Sequence, residues 1–210
     1  IIYPENLSNQ CCGMAFSSKG FKEQGKQKSD SLEETLLKVS QNGAIPILSD
    51  MSPCLYTMKE NMSEPLKLYE PIEFILEFVV PYLDFTPVDE TVSVYAVCSA
   101  KKMGQHENLI KLAKMCATDV INPDTNCCGF AGDRGFTLPE LNEHGLKDFK
   151  VQHPENVTHG YSTSRTCEIG LSCESGVSYK SIIYLVDQVS TPKKLESSKS
   201  KNHNPEVEVI

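Results

Sequence analysis

Hydrophobic positions along the chain fall into short runs that switch between a period of two and a period near 3.6. The stretch TVSVYAVCS (91–99) is rich in β-branched residues and predicts a buried strand ending at Cys98. In ENLIKLAKMCA (107–117), Leu109, Leu112, Ala113 and Cys116 share one face, which predicts an amphipathic helix. TDVINP (118–123) predicts a short strand, and LPELNEHGLKDF (138–149) a helix with Pro139 near its start. Nearer the N-terminus, Leu32, Leu36, Leu37 and Val39 predict a helix over 31–42. AIPILSD (44–50) predicts a strand, and a further helix opens near Ser52–Pro53. The longest apolar run, FILEFVVPYL (74–83), contains Glu77 and Pro81 and is too short to span a bilayer, so it reads as a core helix. This alternation predicts the α/β class, with parallel strands flanked by helices and sites at the strands' C-terminal ends.

The pattern is written twice. IIYPENLSNQCCGMAFSSKGF (1–21) lines up with VINPDTNCCGFAGDRGF (120–136), Cys11 over Cys127 at an offset of 116. LSDMSPC (48–54) meets GYSTSRTC (160–167) at an offset of 113, and Tyr69 meets Tyr179 at 110. Ordered matches with a slowly drifting offset predict duplicated β-α-β units related by a pseudo-two-fold axis. The expected organisation is a first repeat over 1–80, a connector over 81–90, a second repeat over 91–190 and a disordered polar tail over 191–210. The first repeat has no counterpart of residues 91–117, so it is expected to be truncated at its N-terminus.

Composition narrows the function. A net charge of −8 excludes nucleic acid as an expected partner, because phosphate backbones demand excess Lys and Arg. The opening residues have no basic region and no small-residue cleavage site, so no signal peptide is read there. The first residue is not Met, and the chain is expected to be a piece of a longer one. Nine cysteines, an odd number, disfavour a disulfide framework and point to a reducing, cytoplasmic setting.

The cysteines are the candidate chemistry. Cys98, Cys127, Cys128 and Cys167 follow predicted strands or open predicted helices, and could converge as four thiolates. Such a set suits an iron–sulfur cluster, since thiolates supply the soft ligation that iron and sulfide need. Gly129 would let backbone N–H groups approach the cluster, and Arg134 could offset its negative charge. Zinc is the rival occupant, although its usual Cys-x-x-Cys pairs are absent. Four buried inert thiols are the plainest alternative. Cys11, Cys12 and Cys54 repeat the arrangement with three thiols. Cys116 reads as core, Cys173 as a surface or packing residue, and the five histidines show no ligand spacing. A thiol–disulfide oxidoreductase centred on Cys54 or Cys167 ranks last.

The duplicated Cys-Cys-Gly unit resembles the cysteine-rich domains of the heterodisulfide reductase B subunit and of the glycolate oxidase and glycerol-3-phosphate dehydrogenase iron–sulfur subunits. The string CCGFAGDRGFTLPELN…YSTSRTCEIGLS…YKSIIYLVD is similar to the C-terminal part of FAD-linked D-lactate dehydrogenases that also carry iron–sulfur modules. That resemblance covers about residues 1–190. It implies electron transfer from a flavin oxidising a 2-hydroxy acid, through a 4Fe-4S cluster, to a quinone or cytochrome. FAD-binding and ferredoxin-type domains would lie upstream, and the protein would sit in the cytoplasm or at the inner face of the membrane. No catalytic residue is expected in this chain, which alone would be inactive. The fullest family pattern ends in Cys-x-x-Cys, whereas Met51 and Ser164 stand at the first of those positions here. An ordinary four-thiolate cluster is therefore expected rather than a five-cysteine one, and a docking domain with vacant or zinc-filled sites is the alternative.

Overall fold

In the computed structural model, residues 1–63, 65–125 and 127–194 are described. After a short helix α1 (Met14–Ser17), helix α2 covers Lys22–Val39. Its buried residues Gly25, Ser29, Leu32 and Leu36 lie four, three and four apart, on one helical face. The helix starts nine residues before the expected position because Gly25 and Ser29 face inward without an apolar signal. Gly25 is the contact point for α1, since any Cβ there would collide with the Ser17 side chain. Strand β1 is only Ile47–Leu48, because Pro46 has no N–H to give to a ladder. Helix α3 (Ser52–Asn61) carries the chain to β2 (Leu68–Tyr69), which pairs in parallel with β1. Leu32, Leu36, Leu55, Met58 and Cys12 form the core of this part.

The apolar run then begins as helix α4 (Pro71–Phe74), widens to a π turn over Ile75–Val79 and tightens to a 3-10 turn over Val80–Tyr82. Pro81 has no N–H for the carbonyl four residues back, so the regular ladder cannot continue. Ile72 and Ile75 are buried in the core of the second part, so this segment fastens the two halves together. The expected connector over 81–90 holds strand β3 (Leu83–Phe85) and the start of β4 (Val88–Val94).

Helices α5 (Cys98–Lys102) and α6 (His106–Cys116) lead to β5 (Ala117–Ile121). Helix α7 (Pro139–Gly145) is followed by β6 (His159–Ser162), α8 (Arg165–Ser175), β7 (Ser178–Ser181) and α9 (Ile182–Val189). Strands β5, β4, β6 and β7 form one sheet in that order, every pair parallel, as expected for the α/β class. One core joins Leu109, Leu112, Ala113 and Cys116 of α6 to Ile182, Leu185 and Val186 of α9 and to Val92 and Val94 of β4. A second core gathers Tyr95, Val97, Phe130, Phe149 and Leu171 around Cys128. The last strand, β8 (Ser190–Pro192), pairs antiparallel with β3. The polar tail is expected from residue 191; residues 195–210 lie outside the described residues.

The two halves meet through matched polar contacts. Lys19 pairs with Asp133 at 2.5 Å, while Arg134 Nη2 donates to the Ser18 carbonyl at 3.1 Å. Deeper in, the Ser52 hydroxyl is bonded to Thr163 Oγ1 at 2.8 Å and donates to the Glu70 carboxyl. Ser164 Oγ meets Met51 Sδ at 3.5 Å. The Lys102 ammonium lies 4.9 Å from the Tyr56 ring centre.

Candidate metal centre

Three neighbouring strands each deliver cysteine at their C-terminal end. Strand β4 runs through buried Tyr95–Val97 into Cys98, the first residue of α5. Strand β5 leads into the loop bearing Cys127 and Cys128, and β6 leads through Thr163 and Ser164 to Cys167 in the first turn of α8. Because the sheet order is β5-β4-β6, all three ends open on the same edge. Parallel sheets collect their sites there.

The thiols touch in series. Cys128 donates to Cys167 Sγ at 3.3 Å, and Cys127 is hydrogen-bonded to both Cys128 and Cys98. Cys127 is exposed and Cys128 buried, so the chain of sulfurs runs from the surface into the second core. These contacts set the charges. The Cys128 and Cys98 thiols hold Cys127 far below the usual thiol range, helped by the Gly129 N–H and Lys101. Cys128 likewise lowers Cys167, while the neighbouring Cys127 pushes Cys98 up, and Cys127 and Cys167 together push Cys128 up.

The loop is shaped by close backbone approach. Gly129 has φ +72°, and a Cβ there would collide with the Leu141 carbonyl of α7. Its N–H donates to Cys127 Sγ at 3.4 Å. The buried Asn142 amide donates to the Cys128 carbonyl at 2.5 Å, so α7 holds the loop from behind. The cation beside the thiols is Lys101, one turn after Cys98, whose Nζ also donates to the Thr125 carbonyl at 2.8 Å. The sequence suggests Arg134 for that place; its guanidinium is instead spent on Ser18 across the seam. The i, i+3 spacing from Cys98 is the signal that could have found Lys101.

Residues 1–59 match the family described as CCG, cysteine-rich domain. The match takes in Cys11, Cys12 and Cys54. The chain is also 23% identical over 139 residues to the C subunits of the anaerobic glycerol-3-phosphate dehydrogenases of Escherichia coli K12 and O157:H7. That stretch is 60% of this chain and 35% of the relatives, so the chain spans about a third of the length of the curated proteins it matches. No solved structure matches it.

The matched segment builds its thiol set as the second half does. The Gly13 N–H donates to Cys11 Sγ at 3.4 Å, with φ +87° at Gly13 and the Gly25 carbonyl where a Cβ would go. Cys54 is the third residue of α3, as Cys167 is of α8, so both sulfurs face the positive end of a helix. Cys12 bonds to Cys54 and Cys11, and the Cys54 thiol holds it down to about 6. This set has three members.

Cys116 is fully buried on α6, and burial pushes it up to about 12. Cys173 is exposed on α8. Among the described residues, no group of three or more His, Cys, Asp or Glu side chains is arranged to hold one metal ion. Two thiolates sharing a tetrahedral zinc stand about 3.8 Å apart; Cys128 and Cys167 are at 3.3 Å. The fit to a thiolate-bound group therefore lies in the donors themselves: four soft sulfurs on one edge, with an N–H and an ammonium beside them. Among the described residues, no helix is long and apolar enough to cross a membrane.

Proposed function

We propose that this chain is an electron-transfer module of an oxidoreductase, in which Cys98, Cys127, Cys128 and Cys167 ligate an iron–sulfur cluster of the 4Fe-4S type. The observation that carries the reading is the delivery of four thiols to one sheet edge by β5, β4 and β6. The cysteine-rich family match and the likeness to a dehydrogenase subunit favour the same class. A bound cluster would supply one-electron transfer. The chain's own residues do the rest. Lys101 and the Gly129 N–H offset thiolate charge, the second core keeps water from Cys128, and exposed Cys127 is the point nearest solvent.

The finer assignment is a flavin-dependent 2-hydroxy-acid dehydrogenase of the D-lactate type, with FAD upstream and a quinone or cytochrome as acceptor. It rests on the CCGFAGDRGF…YSTSRTC string. The reciprocal contacts Lys19–Asp133 and Arg134–Ser18, and the meeting of Met51 with Ser164, support a duplicated pseudo-two-fold architecture. Lys19 aligns with Arg134 and Ser18 with Asp133, so the first two contacts are exchanged copies of each other, while Met51 and Ser164 are aligned positions that face one another, as an isologous interface requires. A second reading, a docking domain holding zinc or nothing, is favoured by the Met and Ser at those last two positions. Iron, acid-labile sulfide and zinc per chain, measured on anaerobically purified protein, decide between them. About four irons and four sulfides are expected for a cubane; stoichiometric zinc, or no metal at all, overturns the proposal.

A further inference from the structure

Tyr95 lies between β4 and α5, three residues before Cys98, and is 1% exposed. Its main chain is fixed on both sides. The Tyr95 N–H donates to the Tyr161 carbonyl at 2.9 Å, and Ser162 Oγ donates to the Tyr95 carbonyl at 2.8 Å. Its ring is held as firmly, edge-on to Phe149 at 6.1 Å, with the Lys101 ammonium 5.5 Å from the ring centre. Yet among the described residues the phenol oxygen has no hydrogen-bond partner, nor has the Ser99 hydroxyl beside Cys98, whereas the equally buried Tyr179 hydroxyl is bonded to Ser93. A buried phenol without an acceptor is a cost that native cores seldom carry unexplained. Tyr95 packs in one buried cluster with Cys128, against which Cys167 also packs, and Cys128, Cys98, Cys167 and Cys127, all four thiols of the site and all acceptors once ionised, act electrostatically on its hydroxyl.

We infer that Tyr95 is a positioning residue whose O–H donates a hydrogen bond to the sulfur of the thiolate-bound group and raises its reduction potential. This rests on the reading of Cys98, Cys127, Cys128 and Cys167 as cluster ligands. The physical reason is charge. Reduction adds an electron to a group that is already anionic, and a donor aimed at sulfur stabilises the reduced form more than the oxidised one. The locked main chain and ring hold the donor where it bonds no acceptor among the described residues and leave it little freedom to swing away.

The test compares the unaltered chain, Tyr95→Phe and Phe149→Leu, each loaded anaerobically, by iron content and by potentiometric titration of the visible or electron-spin signal. Tyr95→Phe is expected to keep its iron and to show a lower midpoint potential. Phe149→Leu, which loosens the same packing but keeps the hydroxyl, is expected to leave the potential in place. An unchanged potential in Tyr95→Phe at full iron content overturns the inference, as does an equal fall in both variants. Should Tyr95→Phe not fold, 3-fluorotyrosine in the otherwise unaltered chain gives a more acidic phenol, and a potential that does not rise overturns the inference. Iron missing from every chain shows up in the metal analysis alone. That result overturns the cluster reading and this inference with it.

Discussion

The loops Cys11-Cys12-Gly13 and Cys127-Cys128-Gly129 have nearly the same local geometry and unequal surroundings. In both, the glycine has positive φ, its N–H reaches the first cysteine at 3.4 Å, and a backbone carbonyl occupies the space where its Cβ would be. In both, the second cysteine bonds to a cysteine in the first turn of a following helix. The difference lies in the sheet. The first loop sits beside two strands of two residues each, and the second opens on four parallel strands, one of which brings Cys98. The loop is thus a local device for presenting two thiols, whereas completing a ligand set depends on how many strand ends converge around it.

The sharpest way to break this comparison is to remove one sulfur from each set. Cys128→Ser should abolish iron binding by the chain, because it deletes the buried member that contacts both Cys127 and Cys167. Cys12→Ser, the matched change in the three-thiol set, should leave iron content unchanged. Iron and sulfide analysis of the two variants side by side checks this. Equal losses would mean that the two sets share one group, and the distinction between them would fall.

Removing the glycines probes what the loops share. Gly129→Ala and Gly13→Ala each put a Cβ against a carbonyl at positive φ. Each is expected to destabilise the chain by about 1–3 kcal/mol from backbone conformation, with the collision adding to it. Denaturant titration should show effects of similar size. A large effect at Gly129 with none at Gly13 would show that the likeness of the loops is superficial.

A smaller contrast separates the second half from the seam by pH. In the second half, His153 Nδ1 lies 2.8 Å from the Phe149 carbonyl and must donate to it. Its Nε2 is then left to accept from Ser93 or Tyr179, at 3.1 and 2.9 Å. Burial lowers its pKa below 6.5, so the fold favours the neutral ring. That contribution is complete above pH 6.5 and is lost as pH falls through the lower folded value. At the seam, Glu70 is fully buried beside Ser52, and desolvation raises its pKa above 4.5. Its contribution is complete below pH 4.5 and is lost as pH rises through the folded value. His153→Asn should therefore flatten the acid side of a plot of Tm against pH, and Glu70→Gln should flatten the side above pH 4.5. Crossed outcomes would assign the two groups to the wrong regions.

The same contrast shows what a sequence can display. Helix α6 is legible because Leu109, Leu112, Ala113 and Cys116 are apolar and periodic, and the cysteine loops because they recur in register. Strands β6 and β7 are not, since HGYS and SYKS are four residues long and carry Gly, His, Ser and Lys. Their place in the sheet is set by neighbours on either side, a tertiary fact that period and propensity do not encode. Glu70 and Tyr95 escape notice for a related reason. A carboxylate reads as surface and a tyrosine in an apolar run reads as core, and only the assembled seam and sheet edge show one buried among hydroxyls and the other unpartnered beside four thiols.

The smallest expected effect is at the surface where the loops face each other. Lys19 and Asp133 form an ion pair at 2.5 Å, with side chains 51% and 66% exposed. Solvent screens such a pair, and ordering two mobile side chains offsets most of what remains. Arg134 contributes one bond to the Ser18 carbonyl, in equally open surroundings. Lys19→Ala and Arg134→Ala should each leave Tm within measurement error, and the iron content of Arg134→Ala should match that of the unaltered chain. The buried contacts of Ile72, Ile75, Ser52 and Thr163 already hold the halves together, so the seam does not depend on its rim. A clear fall in Tm in both variants would mean that the loops brace each other. Loss of iron in Arg134→Ala alone would return this arginine to the thiol site in place of Lys101.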